Sequence, residues 1–229
     1  PSSRRSRGAL LGDRTRPAVD PEDDGVFVRS LAARDRLGGL AAGVWPAVVA
    51  TRALFDVTLI ETVGVGQSET EIADLADTVV FCAQPGSGDA LQYLKAGVVE
   101  IPDIALVTKA DMGAPATRAA ADLEGALSLA AGGDPPPVLL CSASRGSGLD
   151  ALVDALERRA GDRTRLGERR EAQLRAWLRA DLTAAFGAEG FAAIRADSRM
   201  GDVATAPFSR ASDLRTRLSR ALAVGFTQQ

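Results

Sequence analysis

The chain contains no histidine, so neither a Ser-His-Asp hydrolase nor a His-ligated zinc site can be built from it. Long apolar runs are missing too: none approaches the ~18 residues of a membrane span. The opening residues are polar and basic with no apolar stretch behind them, so neither a signal peptide nor a membrane partner is expected. The expected location is cytoplasmic. Cysteine is scarce: Cys82 and Cys141 stand in separate apolar runs without C-x-x-C spacing. That pattern points to two small core residues in a reducing compartment, not to a disulfide. The basic excess that a nucleic-acid partner would require is also absent, since the formal net charge is −3. Arg4, Arg5, Arg7, Arg14 and Arg16 do cluster, but acids follow at once at Asp20, Glu22, Asp23 and Asp24, so this segment reads as solvated. Lysine is the rarest charge. Of 27 basic residues only Lys95 and Lys109 are lysine, and both fall in motifs discussed below.

What is present suits an α/β protein. A length of 229 residues allows one α/β domain with a substantial core and a smaller appendage. Four apolar runs read as buried strands: Asp56–Ile60, Thr78–Cys82, Ile104–Val107 and Val138–Cys141, with a weaker fifth at Val26–Val28. Helical stretches are expected over 39–54, 67–76, 89–100, 116–131 and 148–160. Strand, turn and helix in repeated alternation predict a parallel sheet covered on both faces, with ligands at the carboxyl ends of the strands. After about 165 the pattern becomes helical only. Leu174, Trp177, Leu178, Leu182 and Ala185 make one apolar stripe, and Leu214, Leu218 and Leu222 a second, with Ser212 as a possible N-cap. Such stripes serve a core or a subunit seam.

The chemistry gathers at the strand ends. Thr108-Lys109-Ala110-Asp111 directly follows the run Ile104–Val107. A carboxylate there can accept hydrogen bonds from both the ring N–H and the exocyclic amine of guanine; adenine would leave it unpaired. The lysine stem can lie along base or ribose while its ammonium stays wet. About thirty residues on, Cys141-Ser142-Ala143 ends another strand, and it resembles the S-A pair that in GTP-binding proteins offers backbone N–H groups to the guanine oxygen. Upstream, Asp56–Ile60 runs into Glu61-Thr62-Val63-Gly64-Val65-Gly66-Gln67-Ser68-Glu69. An acid at a strand end can hold Mg²⁺ through water, and a glycine three residues later lets an N–H approach a γ-phosphate. A dinucleotide fingerprint fails here, because Glu69 stands where its third glycine is needed and Glu71 adds to the repulsion of a pyrophosphate.

These motifs, in this order, resemble the GTPases of the MeaB/ArgK type, the methylmalonic aciduria type A family. E-T-V-G-V-G-Q-S-E at 61–69 is similar to the family's Mg²⁺- and γ-phosphate-sensing segment. G-A-L-L-G-D-R at 8–14 resembles its first switch, and L-G-G-L-A at 37–41 the helix start that follows. Q-P-G-S-G-D-A-L-Q-Y-L-K-A-G at 84–97 resembles an additional switch that reports nucleotide state to a partner mutase, with Gln84, Gly86, Gly88, Asp89 and Lys95 in it. The resemblance implies an α/β, three-layer P-loop NTPase-type domain over 1–165 and a helical dimerisation arm over 166–229. It implies GTP/GDP and Mg²⁺ as ligands, and a cobalamin-dependent acyl-CoA mutase as partner, cobalamin entering only through that mutase. It further implies a homodimer. Asp13 and Glu61 would serve the metal shell, and Glu61 and Gln67 the catalysis. Gly64 would meet the γ-phosphate, and Thr108, Lys109, Asp111, Ser142 and Ala143 the base.

Three departures accompany the resemblance. No G-x-x-x-x-G-K-[ST] loop occurs, since Leu94 precedes Lys95 and Thr108 precedes Lys109. The opening Pro1-Ser2-Ser3 resembles the middle of the family's V-D-P-S-S stretch, so an incomplete sequence is expected, and weak GTP binding by these 229 residues alone. Thr108 stands where many GTPases carry asparagine. Val65 follows Gly64 where Ras-like enzymes place a water-orienting glutamine, which implies slow intrinsic hydrolysis. Two other readings remain: a GTP-driven nickel metallochaperone, disfavoured by the lack of histidine and paired cysteines, and a non-enzymatic dimeric scaffold.

Overall fold

A computed structural model describes residues 22–29, 31, 43–62, 72–86, 102–130, 134–195, 208–209, 212–216 and 219, with the side chains of 130 and 188–195 outside that description. Its framework is a parallel sheet of three strands in the order β1 (Val80–Ala83), β2 (Ile104–Val107) and β3 (Val138–Leu140). Val80 pairs with Ile104 and Ala83 with Val107; on the other side Ala105 pairs with Val138 and Val107 with Leu140. All four residues of β2 are buried, which is why Ile-Ala-Leu-Val carries no polar alternation: a central parallel strand meets no water on either face.

Helix α2 (Ala114–Ala130) makes the crossover from β2 to β3. Its Ala116, Ala120, Leu123 and Leu127 recur at helical spacing and pack with Phe81, Ala83, Ala105 and Val107 into one core cluster. The cluster joins alanines from both helix and sheet with the two helix leucines, which are its largest fully buried side chains. Pro115 lies in the first turn, where its missing N–H costs nothing. Helix α3 (Leu149–Gly161) follows β3. Its Arg159 forms an ion pair with Asp103, just before β2. The second Asp103 oxygen accepts the Val79 N–H at 2.8 Å. One carboxylate thus ties the starts of β1 and β2 to the end of α3, at the edge opposite the carboxyl ends of the strands.

Helix α1 (Val44–Leu54) is held to the turn Ile72–Ala76 by Arg52, which donates to the Leu75 carbonyl and pairs with Asp77 at 3.3 Å. That turn, closed by Leu75 N–H and Ala76 N–H onto the Ile72 carbonyl, is what is described of the helix expected over 67–76. The helix expected over 89–100 lies outside the described residues.

Three expectations need correction. Asp56–Ile60 joins no ladder among the described residues; Val57 and Leu59 face solvent, alternating with half-buried Thr58 and Ile60. Its period-two pattern is present, but a strand exists only where another backbone pairs with it. Val26–Val28 is exposed and irregular, with Phe27 stacked on Phe55 at 6.2 Å between ring centroids. Length alone does not decide this, since β3 is also three residues; Val26–Val28 has no partner strand among the described residues. Cys141 is buried as expected, but Cys82 is exposed; both are free thiols.

The chain divides into two compact units, 1–162 and 163–229. In the second, α4 (Arg163–Arg195) contains Gly187 at φ 72°, ψ 177°, a non-helical point where two helices meet. Leu174, Leu178 and Leu182 are buried in the single chain. Trp177 packs edge-on against Phe208, and Arg215 reaches both carboxylate oxygens of Asp181. Among the described residues no helix is long and apolar enough to cross a membrane.

Candidate functional site

The site is assembled where β2 and β3 end. Thr108, the first residue past β2, sends both its N–H (2.8 Å) and its hydroxyl (3.1 Å) to the Ala83 carbonyl at the end of β1. Lys109 then adopts φ 55°, ψ 41°, the one non-glycine left-handed residue among those described. That conformation costs roughly 1–2 kcal/mol for a residue with a Cβ, and strain of this kind concentrates at functional sites. The reversal aims the Ala110 N–H at the Cys141 carbonyl (2.9 Å) and starts a short 3-10 turn, Ala110–Met112. Asp111 is thereby swung against the loop after β3, and Lys109 is left exposed.

That loop is closed on itself. Ser142 and Ser147 exchange backbone hydrogen bonds of 2.9 and 3.2 Å, with Ala143–Gly146 between them. Gly146 (φ 64°) lets the turn close. Gly148 (φ 77°) has a harder constraint: a Cβ there would overlap the Leu140 carbonyl oxygen and press on Cys141 Cα at 3.0 Å. Glycine is therefore required on both conformational and steric grounds before α3 can begin.

Ser142 is fully buried, and its hydroxyl donates to Asp111 Oδ1 at 2.6 Å. Ser144 Oγ lies 3.0 Å from Ser142 Oγ, and the Arg145 N–H donates to the same oxygen at 3.3 Å. The Ser142 hydrogen bond, above all, holds the Asp111 carboxyl below the usual carboxylate range. The backbone N–H of Asp111 itself, the Arg145 charge and Ser144 add to this, outweighing the opposing effect of desolvation. An exposed, firmly ionised carboxylate at the carboxyl end of a parallel sheet, oriented by a buried hydroxyl, suits a ligand edge with adjacent N–H donors.

The structure thus brings together Thr108, Lys109, Asp111, Ser142 and Ala143. One expected role moves. The Ser142 N–H is already given to the Ser147 carbonyl, so Ser142 acts through its side chain instead. The Ala143 N–H has no partner among the described residues and is the donor left for a ligand oxygen.

Of the expected metal and switch residues, Glu61, Gln84 and Gly86 are described. Glu61 is exposed, and among the described residues no three His, Cys, Asp or Glu side chains come together as a metal site. Mg²⁺ held by one or two carboxylates and a substrate's phosphates needs no such cluster, and of its two expected ligands Glu61 is the one described. Gln84 and Gly86 follow β1, Gly86 with φ 77°. Asp13, Gly64, Gln67, Gly88, Asp89 and Lys95 lie outside the described residues.

The family profile described as methylmalonyl Co-A mutase-associated GTPase MeaB matches residues 1–192. The chain belongs to the MeaB family. MeaB membership agrees with the observed architecture: a parallel α/β sheet of the P-loop NTPase type followed by a helical C-terminal region. A GTPase-designated protein of Caulobacter vibrioides is 42% identical over 157 residues, 66% of this chain and 48% of that protein. One of Pyrococcus abyssi is 44% identical over 163 residues, covering 69% of this chain and 50% of that protein. The mitochondrial methylmalonic aciduria type A homolog of Mus musculus is 35% identical over 187 residues, 78% of this chain and 45% of its own length. The chain thus spans about half the length of these relatives.

Within this MeaB-family chain, sequence reasoning missed Ser144, Arg145 and Gly148. A signal was present: the run Ser142-Ala143-Ser144-Arg145-Gly146-Ser147-Gly148 after a strand is dense in hydroxyls and turn residues.

Proposed function

We propose that this chain carries the guanine-reading part of a Mg²⁺-dependent GTPase that serves a cobalamin-dependent acyl-CoA mutase of the methylmalonyl-CoA mutase type, gating cofactor loading and protection. The observation that carries this reading is Asp111, ionised, exposed and fixed by Ser142 at the end of the parallel sheet. Asp111 accepts the two N–H donors of guanine, Ala143 donates to the guanine oxygen, and the Lys109 stem lies along the nucleoside. Asp13 and Glu61 serve the metal, Gly64 the γ-phosphate, and Gln67 the attacking water. The segment with Gln84, Gly86, Gly88, Asp89 and Lys95 reports nucleotide state to the mutase. The MeaB family description and the designation of its relatives as GTPases support this assignment.

Because Asp111 must be ionised to accept both donors, and its pKa is depressed, guanine binding should persist as the pH falls below the usual carboxylate range and fail only under more acidic conditions. The test uses the full natural reading frame that contains these residues. Nucleotide hydrolysis is measured with GTP and with XTP, each with and without the partner mutase, in the parent and in Asp111→Asn. Asparagine offers one acceptor and one donor group, which suits xanthine. GTP affinity should fall by roughly tenfold to a hundredfold, as for a lost charge-assisted pair. XTP should take its place, and the mutase should still accelerate turnover. Parental use of GTP by Asp111→Asn would remove Asp111 as the base reader; a mutase without effect on the parent would remove the partner.

A further inference from the structure

The hydroxyl cluster behind Asp111 has a direction that chemistry alone determines. Ser142 Oγ is fully buried and has one proton and two lone pairs. Its three neighbours are Asp111 Oδ1 at 2.6 Å, Ser144 Oγ at 3.0 Å and the Arg145 N–H at 3.3 Å. An ionised carboxylate can only accept, so the Ser142 proton goes to Asp111. A backbone N–H can only donate, so Arg145 fills one lone pair. Ser144 is left to fill the other, and must donate.

We propose that Ser144 is a specificity-setting positioning residue of the base site: a one-way chain from Ser144 through Ser142 to Asp111 fixes the plane of the carboxylate toward the purine edge. Resting on the guanine reading above, this assigns a role to a residue that no motif singles out. Ser144 is exposed, but it sits in the turn closed by the Ser142–Ser147 bridge, so its hydroxyl is delivered from a fixed backbone. Hydrogen bonds in series polarise one another, so the outer donor strengthens the inner one. Guanine presents two donors and needs both carboxylate oxygens in one plane. A base with one donor tolerates rotation of that plane. Ser144 therefore bears on discrimination more than on binding as such.

The experiment is a competitive titration of the full natural protein with GTP and with ITP, whose base lacks the exocyclic amine. It compares the parent, Ser144→Ala, Ser144→Thr and Asp111→Asn, with a melting curve for each. Ser144→Ala should lower the GTP-over-ITP preference by roughly threefold to tenfold, as for the weakening of one hydrogen bond. GTP affinity should fall, ITP should change less than about twofold, and the melting temperature should stay near the parent's. Ser144→Thr keeps the hydroxyl and should keep the parental preference. An unchanged ratio in Ser144→Ala overturns the assignment, as does an equal fall in Ser144→Thr, or a loss of both nucleotides together with a lowered melting temperature. If Asp111→Asn binds GTP as the parent does, the guanine reading itself fails. If Asp111→Asn loses GTP while Ser144→Ala keeps the ratio, only the role of Ser144 falls.

Discussion

Two glycines in the turn after β3 separate conformational strain from steric exclusion. Gly146 and Gly148 both have positive φ, but only Gly148 is crowded, against the Leu140 carbonyl and Cys141 Cα. Gly146→Ala should therefore cost about 1–2 kcal/mol, the penalty of a Cβ in the left-handed region. Gly148→Ala pays that penalty and must also displace the end of β3, so it should lose distinctly more stability in a urea titration. It should also disturb the Ser142 loop and with it nucleotide affinity, which Gly146→Ala should largely spare. Equal losses for the two would mean that Gly148 is not packed as the structure shows. Lys109 bears the converse strain, a bulky residue in a glycine-like conformation. The tetrapeptide Thr108–Asp111 was visible as a motif, yet its mechanism was not. That a lysine takes the left-handed turn, or that Ser142 spends its N–H on Ser147 and its hydroxyl on Asp111, depends on backbone geometry set by contacts 31 residues apart in sequence.

Helix α2 shows why the elements nearest the site could be read in advance. The expected 116–131 and 148–160 correspond to Ala114–Ala130 and Leu149–Gly161, and the runs at 78–82, 104–107 and 138–141 to β1, β2 and β3. Each of these carries its signal in its own residues, helical spacing in the helices and an unbroken apolar run in β2. Asp56–Ile60 alternates as a half-buried strand would, but pairing is a property of two segments, and one segment's pattern does not supply the other. In α2 the periodic face is also the energetic one: Leu123 is fully buried in the core cluster that also holds Phe81, Ala105 and Val107. Leu123→Ala should destabilise the first unit by about 2–5 kcal/mol, the transfer loss plus the cavity left behind. Leu129→Ala, on the exposed face, should stay within about 0.5 kcal/mol of the parent, as surface substitutions do. Urea unfolding followed by circular dichroism compares them, and a similar midpoint for both variants would contradict the packing of α2 on the sheet.

At the scale of the molecule, the open issue is what the second unit contributes. The resemblance of residues 166–229 to a dimerisation arm predicts a homodimer, and an apolar stripe left exposed in a monomer would give that prediction a physical cause. Its leucines are not left exposed: Leu174, Leu178 and Leu182 are buried within the single chain, while Ala185 is exposed and Leu218 and Leu222 of the second stripe lie outside the described residues. The Trp177–Phe208 pair and the Arg215–Asp181 ion pair add further contacts within the unit. A dimer through this unit would therefore use residues other than those leucines, and replacing Leu178 by Asp would unfold the unit instead of merely separating two copies. Because the contacts divide at Asp162, residues 1–162 and the whole chain can be compared directly. We expect light scattering to give a dimer for the whole chain and a monomer for 1–162. Unfolding of the first unit should be little changed, since the α2–sheet core and the Asp103–Arg159 clamp lie wholly inside it. A dimer that survives in 1–162 would put the interface on the α/β unit, where exposed Leu54, Val57 and Leu59 offer apolar surface. A whole chain that stays monomeric across micromolar to millimolar concentration would remove the homodimer altogether, leaving the second unit as a self-contained helical appendage.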